Sequence, residues 1–303
     1  MEDRVLEILK RYGPLTGSQL KKKIDVSDGF MLWQTCYQSS HIIIHKIGKR
    51  YLRLDRHLNG YFRLSPSIFR EFLDYSVIGL VQDREKILEK ALFISNQMKV
   101  ISRYKSSLAY RLIKRIVENM AEGEKVSEGC CFMIAGDTVY NMAHDVPRPE
   151  KSTGILVRGS DIDLVVVGDE GISSNLLKRL DDLIFREKMN LLRNPHIREE
   201  LDYVVKDMEK VHSQLRCKNF SDLVACKILY EAEFLYGSNN LFYSIKRLLK
   251  QKGLIQRFKK MEEEAEKRRK DYERLLIECE DKEMTSECIH MFYPSEELDE
   301  FDY

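Results

Sequence analysis

The run GSDIDLVVV at residues 159–167 constrains the fold more than any other stretch of this chain. Leucine and three successive valines predict a β-strand. Asp161 and Asp163 stand two residues apart at its head, so they share a face and lie close to each other. Two anions held that near repel. Either Asp161 closes a turn and Asp163 is solvated at a sheet edge, or a divalent cation sits between them.

With 303 residues, 43% of them hydrophobic, the chain is globular and long enough for two or three domains. Its formal net charge of +1 excludes a global field for nucleic acid. The charge is uneven, however. Residues 1–75 hold 13 Lys/Arg against 8 Asp/Glu, whereas the end, EELDEFDY, is acidic. The seven cysteines, with Cys130 and Cys131 adjacent, form no CxxC and no metal-like spacing with histidine. They read as reduced thiols of a cytoplasmic protein. No apolar run approaches the roughly 20 residues of a membrane span, and MEDRVLEILK reads as a charged amphipathic helix, not a signal peptide.

Val5, Ile8, Leu9 and Tyr12 mark a first helix that ends at Gly13-Pro14. Two short helices follow, one opened by Thr16 or Ser18 and the next by Ser27 or Asp28. HIIIHKIGKRYLRLD then predicts a hairpin around Gly48. Three helices and a basic hairpin resemble a winged helix-turn-helix domain over residues 1–75. That resemblance implies a wing whose Lys46, Lys49, Arg50 and Arg53 meet nucleic-acid phosphates or another acceptor. Its third helix, DGFMLWQTCYQ, carries no Arg or Lys, so DNA, RNA and protein all stand as partners; Phe30 and Trp33 are expected in the core.

Residues 76–105 read as a largely helical connector. SSLAYRLIKRIVENMAEG predicts a helix capped by Ser106 or Ser107, with Gly123 just past its end. CCFMIAG is a short buried strand, followed by a helix over 137–143 and an excursion, HDVPRPEKSTGILVRG. After GSDIDLVVV come a helix, GISSNLLKRLDDLIFREKMNLLRN, with Asp181 and Asp182 on its surface, and a strand in EELDYVVKDM. SDLVACKILYEAEFLYG reads as a further helix. From 241 the chain is helical to its acidic tail, and RFKKMEEEAEKRRKDYERLLIECE reads as a solvated helix held by i, i+4 ion pairs. The order is α+β, with a core at 106–240 and a helical segment at 241–303.

FMIAGD, GSDIDLVVV and ELDYVV together resemble the nucleotidyltransferase superfamily of DNA polymerase β and the small bacterial nucleotidyltransferases. The family pattern is a strand into Gly-Ser at a helix start, an Asp-x-Asp on the next strand, and an acid on a further one. The resemblance implies a small mixed sheet with packed helices and a site for two Mg²⁺ ions. Transfer of a nucleoside monophosphate from an NTP needs an activated acceptor hydroxyl, a neutralised transition state and a stabilised pyrophosphate, which two ions about 4 Å apart supply. Asp161 and Asp163 would bridge both ions and Asp202, preferred over Glu199, Glu200 and Asp207, would complete the set.

By the same resemblance Gly136 would let the backbone approach the triphosphate, and Lys227 would contact it. Asp137 stands where the family has Ser, a departure that Thr138 could offset with its hydroxyl. Ser160 would close the turn, while Arg148, Lys151 and Arg158 could bring cations to the phosphates. Tyr230 and Tyr236 are core or base-stacking residues, and His144 and His212 lack a ligand-like setting. The expected activity is nucleotidyl transfer to a hydroxyl of RNA, such as tRNA, or of protein. Its rival is a DNA-binding regulator with an inactive, nucleotide-sensing core.

Overall fold

In the computed structural model, which describes residues 1–26, 28–56, 58, 60–150, 152–279 and 290–294, the chain divides into two units. One is Met1–Gln97 with Met261–Tyr303, the other Met98–Lys260. The first begins with α1 (Glu2–Tyr12), β1 (Leu15–Thr16), α2 (Gly17–Ile24), α3 (Gly29–Gln38), β2 (Ile42–Lys46), β3 (Tyr51–Leu54), β4 (Phe62–Ser65), α4 (Ile68–Asp74) and β5 (Ser76–Leu80). A long helix, α5 (Arg84–Glu118), runs on into the second unit. There follow α6 (Gly123–Gly129), β6 (Cys130–Ala135), α7 (Asp137–Tyr140), β7 (Pro147–Pro149), β8 (Leu156–Arg158), β9 (Ile162–Gly168), α8 (Ser174–Arg193), β10 (Leu201–Asp207), α9 (Met208–Gln214), α10 (Phe220–Glu231), β11 (Glu233–Gly237) and α11 (Asn239–Gln251). A last long helix, α12 (Leu254–Glu278), returns to the first unit. The divisions therefore fall at 97/98 and 260/261, not at the expected 75, 105 and 240.

In the first unit Thr16 caps α2 through a capping box with Gln19, and Asp28 caps α3 by accepting from the Phe30 and Met31 amides. Ser27, the other cap weighed for α3, lies outside the described residues, as does the acidic tail. The hairpin expected around Gly48 does not form. Instead β2 and β1 both pair antiparallel with β5, and β3 pairs with β4. The reason is SVIGL: every residue of β5 is buried, so both of its edges need a strand to satisfy their backbone groups. Residues 76–80 are thus a central strand, not part of a helical connector. Val5, Leu20, Leu32, Trp33, Ile78 and Phe292 form a core closed to solvent, and Phe30 is buried beside them.

Two helix assignments also change. α5 is unbroken from Arg84 to Glu118, so Ser106 and Ser107 are interior residues and cap nothing. α12 is not solvated all round: Phe258, Met261, Ala265, Arg269 and Leu276 are buried on one face, at the spacing of an amphipathic helix.

The second unit holds a four-stranded sheet in the order β10-β9-β6-β11. β9 runs parallel to β10, reached through α8, and antiparallel to β6, which is antiparallel to β11. Alternation along the strands splits the sheet's faces. Phe132, Ile134, Ile162, Leu164 and Val166 pack on a core with Ile113, Val117, Val126, Leu180 and Ile184. The other face carries Met133, Ala135, Asp163, Val165 and Val167, and α10 and α11 contact its strand β6. β11 corrects the helix expected through residue 237: the helix stops at Glu231, and EFLYG, rich in strand formers, covers the open edge of β6.

The excursion before β9 is a hairpin of β7 and β8. Glu150 holds its turn, accepting from the amides of Ser152 and Thr153 at 3.0 and 2.8 Å and from their hydroxyls at 2.7 and 2.6 Å. Burial alone would raise this carboxyl, but the hydrogen bonds from Thr153 and Ser152 win and hold it at about 2. Among the described residues no helix is long and apolar enough to cross a membrane. The architecture is α+β with small sheets.

Candidate active site

β9 and β10 begin, and β6 ends, at the same end of the sheet. There Ala135 pairs with Asp163, and Asp163 with Asp202. Partners in register point to one face, so Asp163 and Asp202 are neighbours on adjacent strands, and Asp161 precedes them just outside β9. Asp137 enters through the turn after β6. Glu231 closes α10, just before β11 begins opposite Ile134.

The consequence is concentrated on Asp163. It is half-buried, and no hydrogen-bond donor or cation within the described residues reaches its carboxylate. Burial first, then the charges of Asp161, Asp137, Glu231 and Asp202, push its pKa well above the ordinary carboxylate range. A proton or a cation must meet that charge. By contrast, Asp161 and Asp202 are answered within the protein. Arg148, on β7, pairs with Asp161 at 2.7 Å and with Glu200 at 2.9 Å; Lys188, on α8, pairs with exposed Asp202 at 2.8 Å.

Among the described residues no three His, Cys, Asp or Glu side chains converge closely enough to hold a metal as they stand. The donor set nevertheless suits a hard divalent cation: carboxylate oxygens only, one of them unanswered.

Asp163 is the reason position 136 requires glycine. Gly136 has a φ of +68°, and a Cβ there would meet Asp163 Oδ2 at 1.9 Å. The carboxylate occupies the space that glycine leaves. The helix start behind Gly136 is smaller than the sequence suggested, because α7 is only four residues long and ends at Asn141 in the left-handed region. Asp137 accepts from the Ser160 hydroxyl at 2.9 Å, so the serine hydroxyl next to this turn comes from position 160. Ser160 also joins the turn to His144, its amide donating to the His144 carbonyl at 3.0 Å. Thr138 is buried, and its hydroxyl has no hydrogen-bond partner among the described residues.

Lys227 is buried on α10 and forms an ion pair with Glu231, one turn on, whose carboxylate also accepts from the Tyr140 hydroxyl at 2.8 Å. Tyr230 packs on Phe258 and Tyr236 on Phe132, each residue half-buried. Lys151 lies outside the described residues. Arg158 is exposed and gives its carbonyl to Lys105 at 2.9 Å.

Three residues of this neighbourhood escaped the sequence reading: Glu231, Lys188 and Lys105. Glu231 stands four residues after Lys227, an i, i+4 pairing that could have flagged it. Lys188 had no signal. Lys105 is buried on α5 and forms an ion pair with Glu199, whose side chain is 2% exposed; a lysine inside a helical apolar stripe is its only trace in the sequence.

The expected wing cations are placed differently. Arg50 grips Glu71 with two bonds of 2.6 and 2.7 Å and Glu273 with another of 2.6 Å. Lys46 reaches the same two carboxylates at 3.0 and 3.1 Å. Buried Arg269 completes the cluster. Lys46 and Arg50 are therefore paired with buried Glu71 and half-buried Glu273; Lys46, Lys49 and Arg53 are exposed. The α3 face is also engaged. Gln34 donates to the Leu276 and Cys279 carbonyls at 3.1 and 2.6 Å and Gln38 to that of Ile277 at 2.7 Å, capping the end of α12. Compared with known proteins, the chain matches no family model, no curated protein and no solved structure.

Proposed function

We propose that the second unit is a metal-dependent nucleotidyltransferase that moves a nucleoside monophosphate from an NTP to a hydroxyl of an RNA or protein acceptor, releasing pyrophosphate. The observation that carries the reading is Asp163: a half-buried carboxylate without a partner among the described residues, in register with Asp202 and two residues from Asp161. Such a charge is costly unless a cation compensates it.

Asp161, Asp163 and Asp202 would hold Mg²⁺, which supplies charge neutralisation at the phosphates and a more acidic acceptor hydroxyl. Gly136 keeps the Asp163 carboxylate in place by leaving room for it. Thr138 offers an unused hydroxyl for a phosphate oxygen, and Arg148, once released from Asp161, a guanidinium suited to bidentate phosphate contact. Lys227, held by Glu231, adds a second cation on α10. The first unit, whose order α1-β1-α2-α3-β2 closing on β5 resembles a winged helix, would recruit the acceptor.

A second reading has its own support. With Asp161 and Asp202 answered by Arg148 and Lys188, and Asp137 in the place of the family's serine, the core could bind nucleotide without transferring it, in a DNA-binding regulator. The engaged face of α3 and the internal pairing of Lys46 and Arg50 weigh against DNA readout. Thermal unfolding with Mg²⁺ and each NTP, for the natural chain and Asp163→Asn, tests the shared premise. Stabilisation that needs both metal and nucleotide, and is lost in the variant, supports it; no effect of either component refutes both readings.

A further inference from the structure

Two sulfurs of the second unit face each other. The Cys217 thiol donates toward the Cys226 sulfur at 3.8 Å. Both residues are tied to one carbonyl: that of Gln214, the last residue of α9, accepts from the Cys217 amide at 2.9 Å and from the Cys226 thiol at 3.3 Å. Cys217 sits in the turn between α9 and α10 with φ +45°, a left-handed conformation uncommon for a residue with a side chain.

No other pair of thiols is hydrogen-bonded among the described residues. Cys36, Cys130 and Cys131 are buried and Cys279 is half-buried. Cys130 and Cys131, adjacent on β6, point to opposite faces of the sheet. The members of the pair at 217 and 226 differ in access. Cys217 is half-buried between exposed Arg216 and Lys218, whereas Cys226 is closed to solvent on α10. Burial first, and then Cys217, push the Cys226 thiol up, while the charge of buried Lys206 acts the other way. One thiol therefore meets an oxidant, and the second stands behind it.

We propose that Cys217 and Cys226 are a redox-active pair, which a hydroperoxide converts to a reversible disulfide that braces the start of α10 against the turn after α9. With hydrogen peroxide, the Cys217 sulfur attacks one oxygen and becomes a sulfenic acid as the first water leaves. The Cys226 sulfur then displaces the sulfenic hydroxyl as a second water. The two thiols give up two protons and two electrons, and one peroxide becomes two waters. The sulfurs must close from 3.8 Å to about 2.05 Å, a change of about 1.8 Å that rotation about the two Cα–Cβ bonds can supply. The ring so formed encloses Asn219, which caps α10 by accepting from the Asp222 amide at 2.8 Å. Oxidation thus removes freedom from the unfolded chain where α10 begins. The inference stands whether or not this unit transfers nucleotide.

To test it, the full chain is reduced, freed of reductant and treated without denaturant with a small excess of hydrogen peroxide; remaining thiols are alkylated and the chain is digested with trypsin. Cleavage after Arg216, Lys218 and Lys227 yields CK and NFSDLVACK. The expected product is these two peptides joined, separating again when the oxidised chain is first treated with a dithiol. The oxidised chain should also unfold at a temperature roughly 5–10 °C higher than the reduced one. Cys217→Ser and Cys226→Ser should each abolish both the product and the rise, and in Cys226→Ser the unresolved Cys217 should proceed to the sulfinic acid. Recovery of the two peptides alkylated and unlinked overturns the inference. So does a natural chain in which Cys217 becomes sulfinic acid while Cys226 remains a thiol, or a linked chain that unfolds no higher than the reduced one.

Discussion

Replacing Gly136 with alanine is the sharpest structural perturbation the site allows. The new Cβ would stand 1.9 Å from Asp163 Oδ2, whereas real Cβ atoms essentially never approach another heavy atom within 3.0 Å. The carboxylate must therefore retreat by about 1 Å or more. A backbone at φ +68°, ψ −153° adds strain for any residue with a side chain, about 1–3 kcal/mol. If the proposed transfer takes place here, a displacement of that size costs about a hundred-fold in rate. Urea unfolding of Gly136→Ala should show a loss of about 1–3 kcal/mol, and the stabilisation by Mg²⁺ and nucleotide should disappear. Gly154→Ala is the control: its φ is +69°, but nothing lies within 4 Å of its Cβ, so strain acts alone and the metal response survives. A Gly136→Ala variant as stable as the natural chain, with an unchanged metal response, would refute the placement of Asp163 against this turn.

Further outcomes follow from the ion pairs. Lys105→Met leaves the buried Glu199 carboxylate unanswered and should cost about 3–5 kcal/mol in denaturant unfolding, most of it recovered by adding Glu199→Leu; a loss below about 1 kcal/mol would show that the pair is solvated. Burial alone would raise Glu71, but the hydrogen bonds from Arg50 and the charges of Arg269 and Lys46 hold it at about 2 against an ordinary 4.5. Because the folded value is depressed, the ionised form contributes about 3 kcal/mol that is complete above about pH 4.5 and lost as pH falls toward 2. The stability gap between the natural chain and Glu71→Gln should narrow over that window; a gap independent of pH would count against the cluster. Arg148→Gln removes the cation that competes for Asp161, so the divalent-cation affinity measured by calorimetry should rise by roughly three- to ten-fold, and a fall would show Arg148 assisting the metal.

How much of this was legible in the sequence depends on how local each feature is. GSDIDLVVV announced β9 and the paired aspartates because a strand fixes the relation of residues two apart. CCFMIAG and LDYVV announced β6 and β10 by composition, and their register brought Asp202 beside Asp163. What the sequence hid was non-local. SVIGL could not be told from a helix until β1 and β2 were seen to need a central strand, and EFLYG looked helical because the helix before it supplied the periodicity. Lys46 and Arg50 looked like a wing because their acids, Glu71 and Glu273, are distant in sequence. Arg148 and Lys188 likewise gave no sign that they would answer Asp161 and Asp202.

The central claim is chemical, and one measurement reaches it directly: incubation with each α-³²P-labelled NTP, Mg²⁺ and total cellular RNA and protein, beside Asp163→Asn and Asp161→Asn. The account predicts label on an RNA or protein species with the natural chain and none with either variant. Label of equal intensity from the variants, or no label with any NTP while nucleotide still stabilises the fold, would contradict it, and the second outcome would leave the nucleotide-sensing regulator as the reading.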